Sequence, residues 1–236
     1  MVEVLSQVRE RRESDDSTPS AAKARALRVT EIFYSIQGES ETVGIPTCFI
    51  RLTGCPLRCN YCDTEYAFSG GESMPIDEIV ARVTGFPTRF VTVTGGEPLA
   101  QKNSIVLLDR LVEQGYTVSL ETSGAIDLSF VNPNVVKIMD LKTPSSGESH
   151  RNLYSNFDLL DKRDQIKFVI GSLEDYLWAK NTLKTFALER RCGILFSPVS
   201  GLMDPTQLAE CILEDGLSVR FQIQLHKILW GDTVGR

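Results

Sequence analysis

The chain has 236 residues, 42% of them hydrophobic and 24% charged, with a formal net charge of -6, which is enough apolar material for one substantial core. No run of lysine and arginine is long enough to follow a phosphate backbone, so direct nucleic-acid binding is not expected. No apolar stretch approaches the roughly 18 to 20 residues that span a bilayer, and no signal-peptide core opens the chain, so the expectation is a cytoplasmic protein with no membrane partner.

Residues 1–27 are rich in Arg, Glu, Asp, Ser and Ala and read as a flexible N-terminal extension. Residues 28–236 read as one domain. From Arg28 short apolar strands alternate with amphipathic helices, the pattern of a largely parallel α/β sheet. The first two strands are expected at Val29–Tyr34 and Thr47–Thr53, separated by a segment containing Ile36, Gln37, Gly38 and Glu39.

The second strand runs into Gly54-Cys55-Pro56-Leu57-Arg58-Cys59-Asn60-Tyr61-Cys62-Asp63, a C-x3-C-x2-C array with no nearby fourth ligand. Three thiolates hold three irons of a cubane cluster and leave the fourth open to a small molecule, whereas closed structural zinc sites recruit four. A zinc knot completed from a distance is the alternative, but His150 and His226 are the only histidines and neither stands at a zinc-finger spacing. Cys48, Cys192 and Cys211 read as small buried apolar residues, not as part of a disulfide framework.

Helical spacing of Ile76, Ile79, Val80 and Val83 predicts a helix over Pro75–Thr84. Next come a strand at Phe90–Thr94 and the turn Gly95-Gly96-Glu97-Pro98. There the glycines permit close backbone approach and Glu97 supplies an acceptor for an ammonium group; alone, this turn is an ordinary proline stop. A helix at Ser104–Gln114 leads to strands at Thr117–Glu121 and Val135–Asp140, and a further strand at Gln165–Ile170 precedes a helix at Leu173–Leu188. The chain then continues through a strand at Gly193–Ser197, a helix opened by Asp204-Pro205 and a last strand at Val219–Leu225, with His226 read first as a hydrogen-bonded core residue. The polar clusters follow the strands, so they are expected to converge on one mouth.

The cysteine array, with an aromatic residue before its last cysteine, resembles the radical S-adenosylmethionine superfamily, which implies an incomplete TIM-like β/α barrel. The flanking Glu31-Ile32-Phe33-Tyr34-Ser35-Ile36-Gln37-Gly38-Glu39, Phe49-Ile50-Arg51-Leu52-Thr53-Gly54-Cys55 and Cys62-Asp63-Thr64 resemble the 7-carboxy-7-deazaguanine synthase family. So does the closing Gln224-Leu225-His226-Lys227-Ile228-Leu229-Trp230-Gly231. A glycyl-radical-activating enzyme would share the cysteines and the Gly-Gly-Glu-Pro turn, but it needs an open groove for a protein chain, and the Gln-Gly-Glu segment argues against it.

The resemblance implies a [4Fe-4S] cluster on Cys55, Cys59 and Cys62, whose open iron chelates S-adenosylmethionine. It places contacts to that cofactor at Tyr61, Cys62, Asp63, Gly96, Glu97, Ser123, Asp140, Leu141, Lys142, Ser197, Pro198, Val199 and Ser200. Many relatives carry Ser-Pro-Lys where this chain reads Asp140-Leu141-Lys142. The pterin pocket falls to Ile36, Gln37, Gly38, Arg51 and Thr94, with Arg51 and Thr94 beside the chemistry and Arg51 offering a planar fork for a carboxylate. Thr64 is the implied ligand to magnesium (Mg2+), a hard oxygen for a hard cation. The implied reaction contracts the ring of 6-carboxy-5,6,7,8-tetrahydropterin to 7-carboxy-7-deazaguanine with loss of ammonia. In that family a 5'-deoxyadenosyl radical takes a hydrogen atom from C6 and returns it, so that S-adenosylmethionine is regenerated. An electron donor such as flavodoxin or ferredoxin, and a homodimer, complete the implied partners.

Overall fold

From Phe90 onward each crossover returns to the next position in the sheet, so the parallel part of the architecture follows chain order. The computed structural model describes residues 25–231 and 233–235. Its strands are β1 (Ala26–Ile36), β2 (Pro46–Leu52), β3 (Glu72–Pro75), β4 (Phe90–Gly95), β5 (Thr117–Thr122), β6 (Val136–Asp140), β7 (Gln165–Ile170), β8 (Gly193–Pro198) and β9 (Arg220–Phe221). They form one sheet in the order β3-β1-β2-β4-β5-β6-β7-β8-β9. β1 pairs antiparallel with β2 and β3, and every pairing from β2 to β9 is parallel. β3 and β9 are edges that do not meet, so the sheet is an open barrel, as the expected incomplete β/α barrel requires.

The helices are α1 (Ile76–Thr84), α2 (Ser104–Glu113), α3 (Leu173–Phe186), α4 (Pro205–Glu214) and α5 (Leu225–Trp230). α1 buries Ile76, Ile79, Val80 and Val83 and carries Asp77 and Glu78 in its first turn and Arg82 in its last, charges that match the helix dipole. α3 and α4 begin at side-chain caps, Ser172 accepting from the Asp175 amide and Asp204 from the Gln207 amide. None of these helices is long and apolar enough to cross a membrane.

Strand alternation sorts the parallel strands into two faces. Ile50, Leu52, Val91, Val93, Val118, Leu120, Met139, Ile166, Phe168, Ile194 and Phe196 belong to the apolar core. The intervening positions Arg51, Thr94, Glu121, Asp140, Lys167 and Ser197 line the concave interior. Loop 37–45 crosses the amino ends of the strands: the Glu41 amide donates to Gln165 Oε1 at 2.9 Å, while Ser40 and Gln222 exchange two hydrogen bonds. This loop floors the interior and spans its open seam.

Two expectations are corrected and one strand is added. β1 starts at Ala26 with Leu27 buried, so the sheet begins inside the stretch read as extension; residues 1–24 of that stretch lie outside the described residues. β3 was not foreseen, being short and paired only along β1. The strand expected at Val219–Leu225 is ordered as a strand only at Arg220–Phe221, and the chain turns into α5, where the Leu225 amide donates to the Gly38 carbonyl. A short apolar run does not by itself distinguish strand from helix.

Candidate active site

The cysteine loop is braced by its neighbours before any ligand is considered. The Asn60 amide and side chain donate to the Ser146 and Ser145 carbonyls, the Arg58 amide donates to Glu148 Oε1, and Arg58 Nη1 donates to the Cys55 carbonyl. From the other side the Glu97 amide donates to the Gly54 carbonyl at 2.8 Å. A Cβ on Gly96 would stand 2.3 Å from that carbonyl oxygen and 2.8 Å from Cys55 Cβ, so only glycine lets the end of β4 lie against the cysteine loop.

Cys55, Cys59 and Cys62 are in no disulfide, part-buried and line one cavity of about 640 Å³. Burial pushes all three thiols up, Cys59 to about 11. Among the described residues no three His, Cys, Asp or Glu side chains are gathered to enclose a single metal ion. The donor set itself is soft sulfur in a half-buried wall, which is the chemistry that holds iron–sulfur clusters.

The same cavity receives Ile36, Gln37, Gly38, Arg51, Tyr61, Asp63, Thr64, Thr94, Gly96, Ser123, Asp140, Lys142, Ser197, Pro198, Val199 and Ser200 from the residues read in the sequence. Arg51 is not a surface ion pair: Nε donates to Glu31 Oε1 at 2.7 Å, and the guanidinium carbon lies 5.9 Å from the Phe33 ring centre and 5.8 Å from that of Tyr66. Thr64 Oγ1 donates to Asp63 Oδ1 at 2.8 Å, and Asp63 also faces Lys227 at 3.1 Å and Gln224. Burial would raise the Asp63 carboxyl, but the Gln224 hydrogen bond and the Lys227 charge hold it well below the usual range. The Tyr61 hydroxyl is anchored on Thr143 Oγ1 at 3.0 Å and on the Val169 carbonyl, and burial pushes it up to about 12.

Two predicted cofactor contacts do not face the cavity. Glu97 is fully buried, and its carboxylate accepts from the Leu99 amide, the Thr122 hydroxyl and both the amide and hydroxyl of Ser123. Its acceptors are occupied inside the wall, so it shapes the Ser123 turn instead of meeting an ammonium. Leu141 is buried in the core, because the alternation that turns Asp140 and Lys142 inward turns the residue between them outward.

The structure also places Glu121, which the sequence offers either as a ribose contact or as a solvated strand-end cap, and adds Lys167, which motif reading left aside. Glu121 accepts from Thr94 Oγ1 at 2.8 Å and from Gln37 Nε2 at 3.4 Å. Lys167 stands 2.7 Å from Glu39 Oε2 and 3.7 Å from Asp140 Oδ2, and Lys142 stands 3.0 Å from the same Asp140 oxygen. His226, read as a core residue, lies on α5 and lines the cavity; burial lowers its pKa. A Cβ on Gly38 would stand 2.3 Å from His226 Nδ1, so the bare backbone at Gly38 makes room for the imidazole. Arg236 lies outside the described residues.

Comparison with known proteins identifies the family. The Radical SAM superfamily pattern matches residues 49–140, which hold all three cysteines and the Gly-Gly-Glu-Pro turn. A 7-carboxy-7-deazaguanine synthase of Chlorobaculum tepidum is 46% identical over 207 residues, covering 86% of this chain and 94% of the relative. The chain belongs to the 7-carboxy-7-deazaguanine synthase family. A synthase of Koribacter versatilis is 44% identical over 86% of this chain and 97% of its own, and one of Methanospirillum hungatei is 40% identical over 89% and 88%. In fold, the crystal structure of QueE from Escherichia coli superposes with a TM-score of 0.73 at 23% identity, over 89% of this chain and all of that one. The chain is a radical S-adenosylmethionine enzyme of that synthase family, with an open α/β barrel, a [4Fe-4S] cluster and S-adenosylmethionine as its cofactors.

Proposed function

We propose that this cavity converts 6-carboxy-5,6,7,8-tetrahydropterin to 7-carboxy-7-deazaguanine with release of ammonia, a cytoplasmic step of 7-deazapurine and queuosine biosynthesis. The observation that carries the reading is one chamber holding the three cysteines at one wall and the Arg51, Thr94 and Glu121 row at another. The reaction is a loss of ammonia with no net oxidation or reduction, so a hydrogen atom taken from the substrate has to be given back.

When bound on Cys55, Cys59 and Cys62, the cluster with S-adenosylmethionine supplies the 5'-deoxyadenosyl radical that begins the rearrangement. The chain's own residues position and exclude. Arg51, with Nε spent on Glu31, offers the rest of its fork to the pterin carboxylate. Glu121, oriented by Thr94 and Gln37, accepts hydrogen bonds from the N–H groups of the pterin ring. Gly96, Ser123, Asp140, Lys142 and Ser197–Ser200 surround the nucleoside. Thr64 offers one hard oxygen to Mg2+, whose remaining ligands come from the substrate carboxylate and water. α5 closes the chamber through Lys227 and Gln224 on Asp63, keeping water from a reactive intermediate. A protein electron donor of the flavodoxin or ferredoxin class reduces the cluster, and the working unit is a homodimer.

Anaerobic incubation of the reconstituted protein with the carboxytetrahydropterin, S-adenosylmethionine, reductant and magnesium tests the reading by mass spectrometry. The expected product has lost one ammonia relative to substrate, with S-adenosylmethionine turned over many times. A protein with an intact cluster that leaves the pterin unchanged overturns it.

A further inference from the structure

Inside the barrel a single lysine faces carboxylates from three separate elements. Lys167 of β7 meets Glu39 of the floor loop at 2.7 Å and Asp140 of β6 at 3.7 Å, and its charge also acts on Glu121 of β5. The β8 neighbour paired with it is the apolar Leu195. Beyond this first circle, Lys142 faces Asp140, Arg51 acts on Glu121, and Asp63 and His226 lie within the field of Glu39. Lys167 is 14% exposed and Glu39 16%, so solvent screens the group little. Asp140 Oδ1 is buried without a hydrogen-bond partner among the described residues, so Asp140 is held mainly through its other oxygen and the two lysines.

We propose that Lys167 is a positioning residue whose charge keeps Glu39 of the floor loop ionised and gathers it with Asp140 and Glu121, joining the cofactor side of the chamber to its substrate side. Burial alone drives a lysine toward neutrality and a carboxylate toward protonation. Here the three acids override burial on Lys167 and hold it well above the usual lysine range, and Lys167 in turn holds Glu39 below the usual carboxylate range despite its burial. Glu121, farther away, is still raised by burial and by Glu39. Without the lysine, like charges in one dry chamber cannot all remain, and a proton must be taken up.

The test is the thermal stability of cluster-loaded protein, measured anaerobically from about pH 5.5 to about pH 8, for wild type, Lys167→Met and Lys167→Arg. In the Met variant Glu39, left with burial and no counter-charge, joins Glu121 in having a folded-state pKa above its unfolded value. The folded state then holds extra protons, and stability drains away as pH rises through that range. The gap in Tm between wild type and Lys167→Met should therefore at least roughly double from the acid to the alkaline end, whereas Lys167→Arg should show a small gap that does not change with pH. A gap for Lys167→Met that is constant with pH means the side chain only fills space, and it overturns the proposal. If Lys167→Met does not fold at alkaline pH, combining it with Glu39→Gln should restore folding there; failure of the pair as well also overturns it.

A second arm rests on the proposed pterin reaction. In Lys167→Met the KM for pterin should fall as pH rises, opposite in sign to the stability trend, because Glu121 regains its charge as an acceptor. A KM for Lys167→Met that tracks wild type at every pH overturns the link to the substrate side. Absence of turnover in wild type would remove the pterin reading, while the stability arm would still decide the role of Lys167.

Discussion

Replacing Glu97 with glutamine separates two roles that the Gly-Gly-Glu-Pro turn allows. The carboxylate is fully buried and accepts from the Leu99 amide at 2.9 Å, the Ser123 amide at 2.7 Å, the Thr122 hydroxyl at 3.0 Å and the Ser123 hydroxyl. The hydroxyls can rotate; the two amides cannot. A glutamine that keeps its oxygen toward Ser123 turns its NH2 on the Leu99 N–H, and the other flip strands the Ser123 N–H. One buried donor orphaned, together with loss of charge assistance in the remaining bonds, costs about 2–4 kcal/mol. For a chain of this length that is a fall in Tm of roughly 5–15 °C. Scanning calorimetry of the cluster-loaded protein measures it, and equilibrium dialysis with S-adenosylmethionine accompanies it. A Tm within about 1 °C of wild type, with cofactor affinity sharply reduced, would refute the buried role and return Glu97 to the cavity as a direct ligand.

Arg51→Ala should raise the KM for pterin by roughly 30- to 150-fold, the loss of about 2–3 kcal/mol of charge-assisted hydrogen bonding, while 5'-deoxyadenosine still forms without product; unchanged turnover argues against the clamp. Cys59→Ala should abolish the brown cluster absorption and all cofactor cleavage, and full iron content with full activity would remove Cys59 from the ligand set. Gly95→Ala should prevent folding or lower stability by more than about 4 kcal/mol. Its φ is +148°, and the added Cβ would stand 2.2 Å from the Leu52 carbonyl oxygen at the β2–β4 junction; a soluble variant with wild-type Tm contradicts that geometry.

The cluster loop was legible because ligand number and spacing are local properties of the chain. The parallel strands were legible for a similar reason: buried strands between helices carry apolar runs that end in polar turns, as Phe90–Gly95 and Gln165–Ile170 do. Facing was harder to read. Motif position grouped Leu141 with Asp140 and Lys142, although strand alternation already turns it outward, and Glu97 was assigned by chemical type with no knowledge of the Ser123 turn that claims it. The overlooked Lys167 did leave a signal, a cation between Ile166 and Phe168 in a strand that is apolar everywhere else after Gln165. Its meaning required Glu39, which is 128 residues away. α5 was misread because its place depends on the Gly38 carbonyl and on Asp63, which the local sequence does not contain.

The floor loop has a mechanical consequence. Gln37, Gly38 and Glu39 face the chamber, while Ser40 and Glu41, next along the same stretch, are tied to Gln222 and Gln165 on the far flank of the sheet. Spreading the unjoined flanks would therefore pull Gln37, Gly38 and Glu39 sideways within the chamber. A change at Gln222, which does not line the chamber, would reach the residues that do.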